Sequence, residues 1–226
     1  MIISHKYRFI FIKTEKTAGT SVEIALSKYL GNEDVITPLA IDDEHYRKRQ
    51  GYHRAQNYLI PLSRYSFDDW ARLLIRGNRL AFYNHAPAAF IRRWVSGEMW
   101  ESYFKFCFER NPWDKAVSFY FWRNPTEPRP SISDFIQRGG ANSVLGFDLY
   151  TLNGEMLVNR VCRFERVQEE MEAVASIVGL PEIPRLPRAK TKTRGARDYR
   201  DILTEDDRLK LSKVFAREIA HFDYRW

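Results

Sequence analysis

Three groups of residues have the types and spacing that chemistry can use. The first is Lys16-Thr17-Ala18-Gly19-Thr20-Ser21, which follows the apolar run "YRFIFI" at residues 7–12 and opens a helical pattern. Small residues let backbone N–H groups approach an anion, Thr20 and Ser21 add hydroxyls, and the helix N-terminus and Lys16 add positive charge. The nucleotide loop G-x-x-x-x-G-K-[ST] carries its lysine after the second glycine, whereas Lys16 precedes Gly19. The second group is Arg110, at the end of the apolar run "YFKFCFE", with Ser118 eight residues later. The third is His85, which ends the strand-like run "RLAFYNHA" and is the favoured general base among five histidines. Glu15 and Glu23 are the competing carboxylates. Lys13 is a second candidate cation, read as a solvated strand-end lysine. His45 and His53 are read as acceptor contacts.

These groups need a frame that brings strand ends together. Residues 7–12 read as a first strand, and "TSVEIALSKYL" as a helix closed by Gly31-Asn32. "DVITPL", "RLAFYNHA", "YFKFCFE" and "LVNRVCRFE" read as further strands. Helices are expected after Ser66, from Pro87 to Val95, after Asn111 with Pro112 in its first turn, after Ser131, before Gly179 and after Thr204. Alternating strands and helices imply an α/β fold: a P-loop-like three-layer arrangement with a central parallel sheet flanked by helices. Ligands of such sheets bind at the carboxyl ends of the strands, where all three groups fall. Residues 41–65, charged and rich in Tyr46, Tyr52 and Tyr58, show no clear period and read as a lid or acceptor-recognition excursion.

The bulk numbers are compatible. At 226 residues the chain is expected to form one domain, 1–226. With 36 Lys and Arg against 29 Asp and Glu the net charge is +7, which favours an anionic partner. Cys107 and Cys162 each lie in an apolar run and read as buried free thiols. No signal peptide, anchor or membrane-spanning run is visible, so the expectation is a cytoplasmic protein.

"KTEKTAGTS" closely resembles the loop that holds the 5′-phosphosulfate in sulfotransferases using 3′-phosphoadenosine 5′-phosphosulfate (PAPS), the glycan O-sulfotransferases above all. "FERNPWDKAVSFYF" resembles the same family's 3′-phosphate motif, and "FDYRW" its usual ending. The resemblance implies that Lys16, Thr17, Ala18, Gly19, Thr20 and Ser21 bind the 5′ end and Arg110 with Ser118 the 3′-phosphate. It implies Lys16 as a catalytic residue, stabilising charge on the leaving oxygen. "YNHA" resembles the placement of the histidine base in some glycan 2-O-sulfotransferases. In related enzymes a late loop closes over the cofactor, and Lys192, Thr193 and Arg194 are the matching candidates here. The implied reaction moves a sulfuryl group from PAPS to a hydroxyl of a glycan or small molecule, releases 3′-phosphoadenosine 5′-phosphate, and requires no metal. No nucleic acid partner is implied. Two alternatives remain: a P-loop nucleotide kinase or NTPase, and a non-enzymatic binder of anionic polymers.

Overall fold

The computed structural model describes residues 1–187 and 197–226. The strands are β1 (Ile2–Ser4), β2 (Phe9–Phe11), β3 (Val35–Ile36), β4 (Phe104–Glu109), β5 (Thr151–Leu152), β6 (Glu155–Met156) and β7 (Arg160–Arg163). The helices are α1 (Gly19–Leu26), α2 (Ile41–Arg49), α3 (Phe67–Arg76), α4 (Ala88–Trp94), α5 (Gly97–Ser102), α6 (Pro112–Arg123), α7 (Ile132–Gln137), α8 (Phe147–Tyr150), α9 (Val167–Val178), α10 (Glu205–Val214) and α11 (Ala216–Phe222). Among the described residues the main sheet runs β3-β1-β2-β4-β7. β2 pairs parallel with β4, and β4 parallel with β7.

Two expectations about the sheet are corrected. It is mixed, because Ile2–Ser4 forms a strand antiparallel to both β2 and β3. Its three residues are too short for a period to show, but all are buried, and a tight turn feeds them directly into β2. Among the described residues "RLAFYNHA" forms no strand and makes a single bridge, Ala81 to Leu59.

Alternation along the strands sorts the core onto two faces. Phe9, Phe11, Phe106 and Phe108 pack with Val22 and Leu26 of α1 and with Met171 and Val174 of α9. Ile10, Ile12 and Cys107 face the other way, against Ile91, Trp94 and Tyr150. A third cluster joins Val117, Phe119 and Phe121 of α6 to Ile136 of α7 and Leu211 of α10. Both cysteines are free and buried, as expected, and burial raises both thiol pKa values.

The expected caps are formed. The Asn111 side chain accepts from the N–H groups of Trp113 and Asp114, with Pro112 in the first turn of α6. Ser66 and Thr204 each form a reciprocal capping box, with Asp69 and Asp207. Gly179 closes α9 in the left-handed conformation. α1 stops at Leu26, short of Gly31-Asn32, where the Ser27 hydroxyl turns back to bond the Glu23 carbonyl at 2.6 Å.

The excursion at 41–65 starts with a helix. α2 has Asp42, Asp43 and Glu44 in its first turn and Arg47, Lys48 and Arg49 in its last, which suits the helix dipole. Its apolar period is missed because the residue it buries is Arg47. That guanidinium is fully buried, bonded to Glu44 and 3.4 Å from the Ser27 hydroxyl. Gln56 then fixes the chain by donating to the carbonyls of Gly31 and Asp34 at 2.7 and 2.9 Å.

Candidate anion-binding and catalytic site

β2 ends beside β4, and the loop after it is tied to that neighbour. The Ile12 N–H bonds the Phe106 carbonyl at 2.9 Å, and the Thr14 hydroxyl bonds the Phe108 carbonyl. Lys16 and Ala18 both take positive φ, 59° and 58°, a conformation that turns successive N–H groups to one side. The helical ladder of α1 begins only with Val22 N–H to Ala18, at 3.1 Å, and Ala18, at the N-cap, has no polar side chain to cap it. The N–H groups of its first turn therefore face the loop opening, with the half-buried hydroxyls of Thr20 and Ser21 beside them.

Gly19 is required by packing. A Cβ there would lie 2.6 Å from Cγ of Lys13, whose chain runs under the start of α1. Lys13 is buried, against the expectation of a solvated cation. Its ammonium bonds Glu23 at 2.6 Å and Asn84 at 3.2 Å. Glu23 also accepts from the Met1 amino group at 2.6 Å. Burial works to raise the Glu23 pKa, but the amino group and Lys13 outweigh it and hold the carboxyl below its usual range. A carboxylate held this way is a poor general base.

Arg110 follows β4 directly and meets the loop. Its guanidinium donates to the Lys16 carbonyl at 3.0 Å and to Asp114 at 2.7 Å, and stacks 4.3 Å from the centre of the Phe164 ring. The Lys16 ammonium lies 5.1 Å from the centre of the Trp122 ring. Asp114, Ser118 and Trp122 are spaced by four on α6 and share one helical face. Arg110 contacts the first of these and Lys16 the last, so half-buried Ser118 lies between the two cations along that face. Burial, then the charge of Arg110, lowers the Lys16 pKa to about 8. A cleft of about 440 Å³ opens beside the loop, with Phe119, Trp122 and Phe135 as walls and Glu15 at its edge. Burial raises the Glu15 pKa, against the pull of Lys115 and Lys16.

His85 is placed on the other side of the loop. Its φ is +59°, and its Nδ1 lies 3.0 Å from the Lys13 carbonyl. A carbonyl only accepts, so Nδ1 carries the proton and Nε2 holds the lone pair. Burial, then the charge of Lys13, lowers the His85 pKa to about 4, which keeps the ring neutral. Among the other histidines, His45 is exposed on α2, His53 lies 3.3 Å from Gln56, and His5 bonds Tyr103 at 3.0 Å. Lys192, Thr193 and Arg194 lie outside the described residues.

The structure thus joins Arg110 to the Lys16 loop directly, sets Ser118 on the helix that spans them, and seats His85 on Lys13, three residues before Lys16. Sequence reading missed Asp114, Trp122 and Phe164 around the two cations and Asn84 on Lys13. The four-residue spacing Arg110-Asp114-Ser118-Trp122 is the signal that would have found two of them.

The fold and site together define a mixed α/β protein with a cationic loop at the carboxyl end of a parallel strand pair. No protein-family model and no solved structure matches the chain. Over 93 residues it is 33% identical to an uncharacterized protein of Archaeoglobus fulgidus, a stretch that is 39% of this chain and 78% of the archaeal one. The two proteins belong to one family. Among the described residues no helix is long and apolar enough to cross a membrane.

Proposed function

We propose that this protein is a PAPS-dependent sulfotransferase, transferring the sulfuryl group to an acceptor hydroxyl, with carbohydrate the first choice of acceptor. The observation that carries this reading is the direct bond between Arg110 and the Lys16 loop. It sets side by side the two elements proposed to bind anions, at the ends of adjacent parallel strands. A nucleotide phosphorylated at both 5′ and 3′ positions needs such a pair.

The roles follow from charge. The loop N–H groups, Thr20, Ser21 and Lys16 would hold the 5′-phosphosulfate, and Arg110 with Ser118 the 3′-phosphate. As the S–O bond breaks, negative charge collects on the bridging oxygen. Lys16 then interacts more strongly with the transition state than with bound donor. Two cations held close together, one with a depressed pKa, are an arrangement that a bound polyanion relieves. His85 offers an unprotonated Nε2 to take the acceptor proton. Its pKa of about 4 makes it a weak base in the free protein, and a bound polyanion would raise that value. Glu15, at the edge of the cleft, is the competing base. Glu23 is excluded by its ion pairs.

Isothermal titration calorimetry with 3′-phosphoadenosine 5′-phosphate tests the proposal. Saturable one-to-one binding without added metal supports it, and no detectable heat overturns it. ATP binding that depends on magnesium, in place of that result, would indicate a nucleotide kinase or NTPase.

A further inference from the structure

Helix α3 is turned inside out. It is well terminated, with a capping box at Ser66 and Asp69 and a left-handed Gly77 at its end. At about 100° per residue Trp70, Leu74, Phe67, Ala71 and Ile75 share an arc of about 140°. A surface helix ordinarily turns such an arc to the core. Here Phe67 is 87% exposed and Leu74 and Ile75 are each 82% exposed. The buried residue of α3 is Asp69, used by the cap and 3.9 Å from Arg93. Trp70, 41% exposed, anchors the edge of the arc, with its ring centre 5.6 Å from that of Tyr65.

The polar surroundings carry a net positive charge. Arg72 stands exposed about 60° around the helix from Ile75, with Asp68 between them, and Arg76 lies on the far side; Arg64 and Arg79 stand exposed just before and after the helix. Against them stands Asp68, since Asp69 is committed to the cap. A short helix with Phe, Trp, Leu and Ile projecting on one side and more exposed arginines than acids around it fits the boundary between acyl chains and anionic headgroups. A second copy of the chain fits poorly, because two-fold pairing would bring the same arginine-rich patch against itself.

We infer that α3 docks this protein on an anionic lipid surface, with Phe67, Leu74 and Ile75 entering the acyl boundary and Arg72, with the exposed arginines just before and after the helix, meeting lipid phosphates. The inference is independent of the sulfotransferase reading. Co-sedimentation of the full chain with phosphatidylcholine vesicles, with and without roughly one-third phosphatidylserine, tests it at low salt. The wild type is expected to pellet with the anionic vesicles and to stay in solution with the neutral ones. The triple variant Phe67→Ser, Leu74→Ser, Ile75→Ser is expected to lose partitioning at least tenfold. Arg64→Glu with Arg72→Glu should lose it comparably. All these side chains are exposed, so circular dichroism and Tm should match the wild type. Absence of binding to anionic vesicles overturns the inference, as does binding that the triple variant leaves unchanged. A wild-type dimer that the triple variant disperses, in a protein that ignores vesicles, would make the surface a self-association face and overturn it equally.

Discussion

The Arg110 guanidinium donates a hydrogen bond to the Lys16 carbonyl at 3.0 Å, across 94 residues of sequence. That contact ties the loop after β2 to the turn after β4, and with it the side chains of Lys16 and Arg110. Most of what the account predicts follows from the electrostatics there and around neighbouring Lys13.

Lys16 is charged where burial and Arg110 both oppose charge. Its folded pKa of about 8 lies below the free value of 10.5, so the unfolded chain binds its proton more tightly and the charge destabilises the fold at neutral pH. Lys16→Met should therefore raise Tm, by about 2–4 °C for each ~1 kcal/mol recovered in a chain of this size. The same variant should abolish sulfuryl transfer. Thermal melts and transfer assays on one preparation check both halves, and a destabilised Lys16→Met would contradict the electrostatic account.

Binding of an anion should push the Lys16 pKa up from about 8. Below that pH the lysine is already protonated and binding takes up no proton. Above it, complex formation should take up as much as one proton, and affinity should fall by up to about tenfold per pH unit. Titrations of 3′-phosphoadenosine 5′-phosphate from pH 7 to 10, in buffers of different ionisation enthalpy, measure this uptake directly.

His85→Gln should leave binding of the bisphosphate nucleotide within about threefold of wild type and reduce transfer by about 10²–10⁴, the usual worth of a general base. Glu15→Gln should keep most of its transfer activity. The reverse pattern would assign the base to Glu15. His85 also leaves a mark on stability. Its pKa of about 4 in the fold lies below the free 6.5, so the unfolded chain takes up its proton first as pH falls. Stability should decline between those values, and His85→Gln should decline less over the same interval in denaturant titrations.

Gly19→Ala should cost about 1–3 kcal/mol, because its methyl group would meet Cγ of a lysine that Glu23 and Asn84 hold in place. Denaturant titration checks the cost. A silent Gly19→Ala would show that the Lys13 side chain is free to move.

Much of this was legible in the sequence, for reasons that differ by residue. The strands at Phe9 and Phe104 announce themselves by aromatic density, and the caps at Asn111, Ser66 and Thr204 by side chains whose only local use is to bond helix N–H groups. β1 was hidden because three residues carry no period, and its direction is set by pairing with β2 and β3. The strand expected at "RLAFYNHA" had the right residues but one bridging partner. Lys16, Arg110 and Ser118 were legible as types at spacings, whereas the fate of Lys13 was not. A lysine at a strand end is solvated unless a carboxylate waits for it, and Glu23 becomes that partner only once α1 folds back over β2. The apolar arc of α3 is plain in the sequence, but its outward orientation is a property of the fold alone.

The central claim is that two anion sites act on one nucleotide, and the dependence of affinity on the 3′-phosphate tests it most directly. Calorimetry should compare 3′-phosphoadenosine 5′-phosphate with adenosine 5′-monophosphate, on the wild type and on Arg110→Ala. One charge-assisted contact to the 3′-phosphate implies a preference of about 10–100-fold in the wild type. Arg110→Ala should collapse that preference toward unity. Equal affinities for the two nucleotides in the wild type, or an undiminished preference in Arg110→Ala, would contradict the account.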